Sequence, residues 1–440
     1  MMKLVKWPLA VALVVSLGGC GIFKGGNKKT PVLGERVPIL LSESNIAADK
    51  TLAGVEVLLP PAEPNADWSQ PGGNAAKSMG HPALSATPAR AWGATIAGGD
   101  KRTRLGSAPA IAGGKLYVMD TQGSVQAFDA ASGSQLWRVS TVKGDENQSA
   151  RFGGGVSVEG ARVYAANGIG EVVALDANSG AEAWRIKPGG PLRGSPTLAN
   201  GQVYVVSQDN QLFALDQGSG QIVWTQSGSL ESQGVFGVAA PAAAQGTIVA
   251  GFSSGELNAY RYENGRSLWA DALSRTSAST SVSALADIDA EPVIDQGRVY
   301  AIGEGGRMVA LEVVSGQRLW EQNLAGISTP WVVGEWIFVV TDDARLLCLA
   351  RSTGRVRWIT QLPRWRNEKK SKGPISWVGP VLAGGRLWLA NNRGALTSVA
   401  PADGAVGASI ETKGSYTLPP VVANNMLYLL SDEGELTAYR

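Results

Sequence analysis

One short stretch, repeated along the chain, limits what this sequence can fold into. Gly201–Trp224 reads GQVYVVSQDNQLFALDQGSGQIVW. Similar copies begin at Gly114, Gly160, Gly246, Gly297, Gly334, Gly385 and Asn425, and the last is cut short at Arg440. Self-similarity with a period of about forty residues is the signature of a repeat architecture, in which each unit packs on its neighbours.

Each copy carries the signals of three strands and two turns, with a fourth strand just upstream. Alternating apolar residues such as Val203 and Val205 mark strands, and the polar runs Gln208–Asn210 and Gln217–Gly220 mark turns. Ser195–Leu198 is the upstream strand. Four short antiparallel strands per copy are typical of a propeller blade. The sequence therefore predicts an all-β propeller over residues 86–440.

The truncated last copy predicts how the ring closes. This copy ends before its outer strand, and a matching orphan strand, RAWGAT, lies upstream at Arg90–Thr95. Pairing the two would lock the circle and remove exposed sheet edges. The prediction is eight blades; with seven, the Asn425 copy would be a stray hairpin.

A glycine turn followed by a tryptophan recurs in most copies. In Asp176–Gly180 the aspartate can accept from turn amides, and the glycine supplies a positive φ. The tryptophan that follows is expected to pack against the neighbouring blade. It stands at 137, 184, 224, 269, 320 and 358, and Ala408 replaces it in the seventh copy.

Composition excludes several classes of protein. Charged residues make up 17 % of the chain and the net charge is +2, so nothing favours nucleic-acid binding. The two cysteines, Cys20 and Cys348, predict no disulfide framework, and a single histidine, His81, argues against a histidine-based metal site.

The first twenty residues read as a lipoprotein leader. Lys3 and Lys6 precede the apolar run Leu9–Leu17, which is too short to span a bilayer. Leu17–Cys20 (LGGC) resembles a bacterial lipobox, which implies lipid attachment at Cys20 and an outer-membrane anchor facing the periplasm. An ordinary secretory leader with an incidental cysteine is the alternative.

The residues after the leader lack periodic patterning. We expect a signal peptide at 1–19, a lipidated N-terminus and flexible tether at 20–85, and the propeller at 86–440. The unpatterned stretch from 21 to about 66, some 45 flexible residues, would span about 35–40 Å. The apolar runs Val37–Leu41 and Val55–Leu59 could dock on a partner or lie as loose strands on the propeller.

The repeat pattern Ala/Leu-Asp-x-x-Ser/Thr-Gly-x-x-x-Trp resembles that of the pyrroloquinoline-quinone propellers. Joined to the lipobox and eight blades, it is similar to the BamB family, the lipoproteins of the outer-membrane β-barrel assembly (BAM) machinery. This resemblance implies a scaffold without catalysis or cofactor. Its partners would be the POTRA domains of BamA, other BAM components, unfolded outer-membrane proteins and, through the anchor, the outer membrane.

Two rival functions use the same fold. The quinone dehydrogenases usually carry an adjacent cysteine pair and Ca²⁺ ligands on the axis. Here Cys348 stands alone in an apolar strand, and Asp342, Asp343 and Glu304 lie in turns where capping or solvation is the default. A periplasmic module that binds a small ligand in the axial funnel is the other rival.

Loops longer than the repeat requires are candidate binding surfaces. The long links between blades are Arg138–Phe152, Thr225–Pro241, Ala270–Pro292 and Ile359–Pro380. The resemblance to the BamB family, which has a Leu-Ser-Asp-Val-Asp stretch at the third link, implies that Asp287 and Asp289 contact a partner. Two carboxylates one residue apart can face the same way and engage arginine or lysine. The alternative is a turn-capping or solvated pair.

Two further links carry candidate contacts. The family has a Leu-Arg-Gly contact where this chain has Val235-Phe236-Gly237. Val235 keeps the apolar character of the leucine. Phe236 replaces the basic residue, which puts the polar part of the contact in doubt. Phe236 could be an aromatic anchor or a core residue. The run Arg364–Lys372 (RWRNEKKSK) is either a solvated loop or a site for an acidic partner or lipid headgroups.

Overall fold

The strands form a ring of small antiparallel sheets, as the repeat predicts. The computed structural model describes residues 46–100, 102–144, 153–230, 239–273 and 286–440. Within these ranges the strands make eight four-stranded sheets and one two-stranded hairpin. The eight-bladed prediction is confirmed, and the seven-bladed alternative is wrong. No helix in the same ranges is long and apolar enough to cross a bilayer.

The strand bounds follow the blades in chain order, after an initial strand β1 (Arg90–Thr95). Blade 1 contains β2 (Ala110–Ala112), β3 (Lys115–Met119), β4 (Ser124–Asp129) and β5 (Gln135–Ser140). Blade 2 contains β6 (Gly154–Glu159), β7 (Arg162–Asn167), β8 (Val172–Asp176) and β9 (Glu182–Ile186). Blade 3 contains β10 (Thr197–Ala199), β11 (Gln202–Val206), β12 (Gln211–Asp216) and β13 (Ile222–Ser227). Blade 4 contains β14 (Ala242–Ala244), β15 (Thr247–Gly251), β16 (Glu256–Arg261) and β17 (Ser267–Ala272).

The second half of the ring continues in the same way. Blade 5 contains β18 (Val293–Asp295), β19 (Arg298–Ile302), β20 (Met308–Glu312) and β21 (Arg318–Gln322). Blade 6 contains β22 (Trp331–Val333), β23 (Trp336–Val340), β24 (Arg345–Ala350) and β25 (Val356–Gln361). The hairpin of β26 (Trp365–Asn367) and β27 (Lys372–Pro374) precedes blade 7, which contains β28 (Trp377–Ala383), β29 (Arg386–Asn391), β30 (Ala395–Val399) and β31 (Val406–Glu411). Blade 8 contains β32 (Val421–Ala423), β33 (Met426–Leu430), β34 (Glu435–Tyr439) and β1, and short 3-10 helices span Lys50–Leu52 and Glu368–Lys370.

The turn before each tryptophan strand is built from local hydrogen bonds. In blade 3, Asp216 Oδ1 accepts from the backbone N–H and the hydroxyl of Ser219, both at 2.7 Å. Gly220 then adopts a φ of +76°, which costs glycine little. The chain reverses into β13, which pairs antiparallel with β12. The sequence pattern thus determines the turn without help from the rest of the fold.

The tryptophans connect neighbouring blades. Trp224 Nε1 donates to the carbonyl of Tyr262 in blade 4 at 2.7 Å. Its indole ring lies over Gly265, where an added Cβ would be 2.7 Å from the ring atoms. The same two contacts join the turns of the following blades to Trp92, Trp137, Trp184, Trp269, Trp320 and Trp358. The predicted packing role is confirmed, and the turn glycine is needed for space as well as for its φ.

The ring closes where the sequence places the closure. Strand β1 pairs antiparallel with β34, and Ala89 and Arg440 exchange two backbone hydrogen bonds of 2.8 Å. Trp92 Nε1 donates to the carbonyl of Ala130 in blade 1 at 3.1 Å. The N-terminal strand therefore completes blade 8 and carries that blade's contact with blade 1.

The one exception to the tryptophan pattern has a structural cause. Ala408 lies in β31, the strand of blade 7 that would contact the turn of blade 8. In blade 8 the fourth strand is β1, which precedes blade 1 in the chain, so no turn of this kind joins it to β34. A tryptophan at position 408 would have no turn carbonyl to accept its N–H.

Residues 46–85 differ from the predicted flexible tether. Together with the propeller they belong to one compact unit, Ile46–Arg440. Within Trp68–Ala76, successive residues hydrogen-bond to the first strands of blades 1 to 5 in order. The partners are Ile111, Val158, Leu198, Ala243 and Ile294.

The remaining three blades receive the rest of this N-terminal segment. Asp49 N–H donates to Val356 in blade 6, Gly384 N–H of blade 7 donates to Pro82, and Asn424 N–H of blade 8 donates to Asn65. Trp68 is buried and stacks on Trp331 with 6.1 Å between ring centroids. Of the Val55–Leu59 run, Val57 is buried against the core while Leu58 is exposed. The segment shows no period because its contacts with the eight blades are made by different residues at irregular spacing.

Candidate functional site

The four long links all leave the fourth strand of one blade for the first strand of the next, so they emerge on one face of the propeller, here called the link face. The link Ile359–Pro380 is described throughout. The other three are described only near their roots. Val235 and Phe236, the predicted contacts of the second link, and Cys20, the predicted lipid-attachment residue, lie outside the described residues.

Asp287 and Asp289 face the same way, as their spacing predicts, and both contact Arg193. Arg193 Nη2 lies 2.8 Å from Asp287 Oδ1 and 3.1 Å from Asp289 Oδ1. Ile288 between them points away and is fully buried, against Gly251. The acidic pair therefore engages an arginine, as its chemistry indicates, but this arginine belongs to the same chain and to the link before blade 3.

Burial distinguishes the two carboxylates. The side chain of Asp287 is 2 % exposed and that of Arg193 is 1 % exposed, whereas Asp289 retains 10 %. Arg193 Nε and Nη1 and Asp287 Oδ2 have no hydrogen-bond partner in the described protein. Breaking a buried ion pair by removing one partner is strongly destabilising. In this arrangement Asp287 holds the root of the third link, and Asp289 is the member of the pair nearer to solvent.

Sequence reasoning did not find Arg193. It stands in Pro191–Ser195 (PLRGS), a link of ordinary length with no charge pattern around it. Its partners lie 94 and 96 residues further along the chain. Only the ring brings blades 3 and 5 together at the axis, so no local signal could have indicated the contact.

A cavity of about 240 Å³ lies on the axis beside this cluster. The N-terminal segment contributes Trp68, Pro71, Gly72 and Lys77 to its wall, and the links contribute apolar residues such as Leu105, Ile327 and Leu418. Its carboxylates are Asp289, Glu291 and Glu304. Lys77 and Arg104 also line it, so the cavity is an apolar funnel with charged groups of both signs.

The axial titratable groups are shifted towards their neutral forms. Burial raises the pKa of Asp289 to about 6, with the charge of Asp287 acting in the same direction. Burial, reinforced by the neighbouring carboxylates, raises the pKa of Glu304 to about 7. Burial also lowers the pKa of Lys77 to about 8, opposed by Glu291. Of the turn acids noted in the sequence, Glu304 therefore belongs to the axial cluster, whereas Asp343 accepts from Thr341 and pairs with Arg345.

These residues do not fit the quinone cofactor of the dehydrogenases that share this fold. Cys348 lies fully buried in β24, within the core, and cannot stack on a ligand at the axis. Among the described residues no group of three His, Cys, Asp or Glu side chains is placed to hold a metal ion.

The fourth link folds into a compact hairpin. Strands β26 and β27 and the 3-10 helix between them, here called the basic hairpin, carry Arg366, Lys369, Lys370 and Lys372, all exposed. The Glu368 carboxylate accepts from the backbone N–H groups of Arg364 and Trp365 at 3.0 and 3.1 Å. The element has its own sheet and cap, and its charged side chains are exposed to solvent.

Comparison with known proteins assigns the chain to a family. The family model described as outer membrane protein assembly factor BamB matches residues 83–145 and 121–360. The outer membrane protein assembly factor BamB of Escherichia coli K12 is 30 % identical over 389 residues, which cover 79 % of this chain and 88 % of that protein.

Solved structures confirm the fold alone. BamB from Moraxella catarrhalis superposes with a TM-score of 0.65 at 19 % identity, covering 81 % of this chain and 98 % of that one. A europium-containing methanol dehydrogenase superposes with a TM-score of 0.68 at 14 % identity, covering 85 % of this chain and 98 % of that one. Structural likeness by itself therefore does not separate a scaffold from an enzyme.

Proposed function

This chain belongs to the BamB family of outer membrane protein assembly factors, and on that premise we propose that it is a non-catalytic scaffold of the BAM complex. Its role is to dock the POTRA domains of BamA and to help orient unfolded outer-membrane proteins for insertion. The observation that carries the proposal is the family match across residues 83–360, which spans blades 1 to 6. The relatives are named as assembly factors, which supports a role without chemistry.

The link face is the proposed docking surface. The second and third links flank blade 4 and therefore lie side by side, so a single partner can reach both. Asp289 and the outer part of the third link contact the partner. Asp287, held by Arg193 at 2.8 Å, positions that link. Val235 and Phe236 supply apolar contacts from the second link.

The membrane anchor is a further part of the proposal. Cys20 carries the lipid, the leader 1–19 is removed, and the protein faces the periplasm from the outer membrane. Residues 20–45 act as the tether, a shorter one than the sequence pattern indicates, since residues from Ile46 onward pack on the propeller. The lipid's acyl chains give the stable anchoring that one chain alone does not.

Co-purification tests the scaffold function. The affinity-tagged chain is recovered from detergent-solubilised outer membranes, and the proteins that accompany it are identified by mass spectrometry. We expect a membrane β-barrel protein with POTRA domains to co-purify in stoichiometric amount. Recovery of the chain without any such protein would contradict the proposal.

A charge-neutral substitution tests the docking site. Asp289→Asn should weaken the association, whereas Asp403→Asn, at an exposed turn of blade 7, should leave it unchanged. Neither Asp287 nor Asp289 is reversed to lysine, because a lysine beside the buried Arg193 would destabilise the fold. Equal recovery of the partner with both variants, at unchanged melting temperature, would refute the assignment of Asp289.

The axial cavity motivates a second candidate function, binding of a small ligand. If the native chain yields a tightly bound small molecule in mass spectrometry and no β-barrel partner, this candidate replaces the scaffold.

A further inference from the structure

The basic hairpin concentrates unpaired positive charge on the link face. The exposed side chains of Arg366, Lys369, Lys370 and Lys372 make no hydrogen bond or ion pair within the described parts of the chain. Glu368 is the only acidic residue of the hairpin, and its carboxylate is occupied by two backbone N–H groups. Four cations therefore project into solvent, and the single Glu368 offsets only part of their charge.

The hairpin is held rigidly on the propeller. Asn367 caps the 3-10 helix by accepting from Lys370 N–H, and Ser371 takes a left-handed φ of +47° to turn the chain into β27. At the base, Arg393 Nη2 donates to the Pro374 carbonyl at 3.0 Å, and Ile375 packs against the core. The cations are thus presented in a fixed direction and are not carried on a loose loop.

Its surface lacks what a protein partner would need. No large apolar side chain in the hairpin is exposed, and Trp365 and Ile375 are both partly buried. Protein interfaces depend on a desolvated core of aromatic or aliphatic residues. An anionic membrane surface attracts lysine and arginine individually and needs no complementary shape.

We propose that the basic hairpin binds the surface of a bilayer containing anionic phospholipids. Each exposed lysine or arginine near such a surface adds about 1 kcal/mol, and the attraction is confined to about a Debye length. Contact through the hairpin brings the part of the link face between blades 6 and 7 to the bilayer.

The start of the described chain lies near the hairpin. Arg357 Nε donates to the carbonyl of Val55, so the N-terminal segment lies on β25, the strand that leads into the hairpin link. Vesicle binding by the hairpin does not rest on the proposed function.

Vesicle co-sedimentation tests the proposal. The chain from residue 20 onward, with Cys20→Ser to prevent acylation, is mixed with vesicles of phosphatidylglycerol and phosphatidylcholine, or of phosphatidylcholine alone. We expect binding to the anionic vesicles only, and its loss when salt is raised from about 0.05 M to about 0.5 M. Equal binding to both vesicles, or none to the anionic ones, would overturn the proposal.

Charge-neutral variants locate the binding surface. The triple variant Lys369→Gln, Lys370→Gln, Lys372→Gln should lower the partition coefficient about a hundredfold, since each cation contributes about fivefold. The control Lys187→Gln, Arg261→Gln, Arg266→Gln removes the same charge from exposed positions on blades 2 and 4 and should change it little. Asn367 and Glu368 are kept in both variants, so the hairpin retains its caps.

Three outcomes would overturn the membrane assignment. Undiminished binding by the hairpin variant would exclude the hairpin. An equal loss in both triple variants would show a response to net charge alone. Failure of the parent chain to bind anionic vesicles, with loss of an acidic protein from the hairpin variant's co-purification, would assign the hairpin to a protein partner. A melting temperature within about 2 °C of the parent confirms that each variant is folded.

Discussion

The rim and the axis of this propeller hold their carboxylates in opposite ways. At the rim, hydrogen bonds from Ser219 lower the pKa of Asp216, and the same turn recurs around the ring with Asp129 and Asp176. At the axis, burial raises the pKa of Glu304 to about 7 and that of Asp289 to about 6. Rim carboxylates are stabilised by neighbours three residues away, whereas axial carboxylates are brought together by different blades.

The packing contacts of the rim and of the axis also differ, because those of the rim repeat around the ring and those of the axis do not. A rim tryptophan contacts the corresponding turn of the next blade, so one contact is repeated seven times in the described chain. The axis has single contacts without repeats, such as Arg193 with Asp287. Rim positions are therefore equivalent to one another, while each axial position has to be tested by itself.

The largest effect is expected from removing a rim tryptophan. Trp224→Ala deletes a 7 % exposed indole and its hydrogen bond to Tyr262. We expect a loss of about 3–5 kcal/mol in the free energy of unfolding, measured by urea titration. Ala408→Trp is the matched control and should give no gain, because blade 8 offers no turn to receive the ring. An unchanged urea midpoint for Trp224→Ala would show that the indole is not a core contact.

The axial ion pair should come next. Asp287→Asn keeps the shape of the side chain but leaves the buried Arg193 with only Asp289 as a charged partner. A cost of about 2–3 kcal/mol is expected, since a hydrogen bond to a buried charge is weakened and not abolished. Asp289→Asn, at the more exposed carboxylate, should cost less. A smaller urea shift for Asp287→Asn than for Asp289→Asn would contradict the burial order reported above.

A pair of glycine substitutions separates backbone strain from rim packing. Gly265 and Gly246 have φ values of +69° and +76°, so alanine is similarly strained at both, by about 1 kcal/mol. Only at Gly265 would the new Cβ meet Trp224, at 2.7 Å; at Gly246 it meets Tyr262 at 3.8 Å. Gly265→Ala should therefore cost about 1–3 kcal/mol more than Gly246→Ala in the same titration. Equal costs would mean that the indole moves aside freely.

The smallest effect is a difference in pH dependence. The pKa of Glu304 is raised, so its contribution to stability is present below its ordinary pKa and lost as the pH rises through about 7. Glu304→Gln should thus raise the melting temperature at pH 8 and change it little near pH 4. Hydrogen bonds from Ser219 lower the pKa of Asp216, so its contribution is present at neutral pH and lost in acid.

Asp216→Asn should therefore lower the melting temperature at neutral pH and approach the parent near pH 2. Both shifts are expected to be on the order of 1 °C. If the two variants shifted in the same direction at pH 8, rim and axis would not differ electrostatically as described.

What the sequence determined by itself is the repeated part of the molecule. The Gly201–Trp224 pattern predicted the strands, the turns, the tryptophan contacts and the count of eight, and the orphan strand at Trp92 predicted the closure. These predictions were correct because each repeat packs against a neighbour of similar sequence. The local pattern of one repeat therefore also indicates its tertiary contacts. The missing tryptophan at Ala408 was visible in the sequence. Its cause, that blade 8 has no turn to contact an indole, became clear only from the structure.

Only the tertiary structure determined the axis. Arg193 had no signal, the acidic pair at Asp287 and Asp289 was recognised without its partner, and residues 46–85 read as a tether although they hydrogen-bond to all eight blades. The physical reason is geometric: at the centre of a ring, residues distant in sequence meet once each, and a contact that occurs once leaves no period in the chain. Burial then shifts pKa values and creates ion pairs that depend on the whole circle being closed.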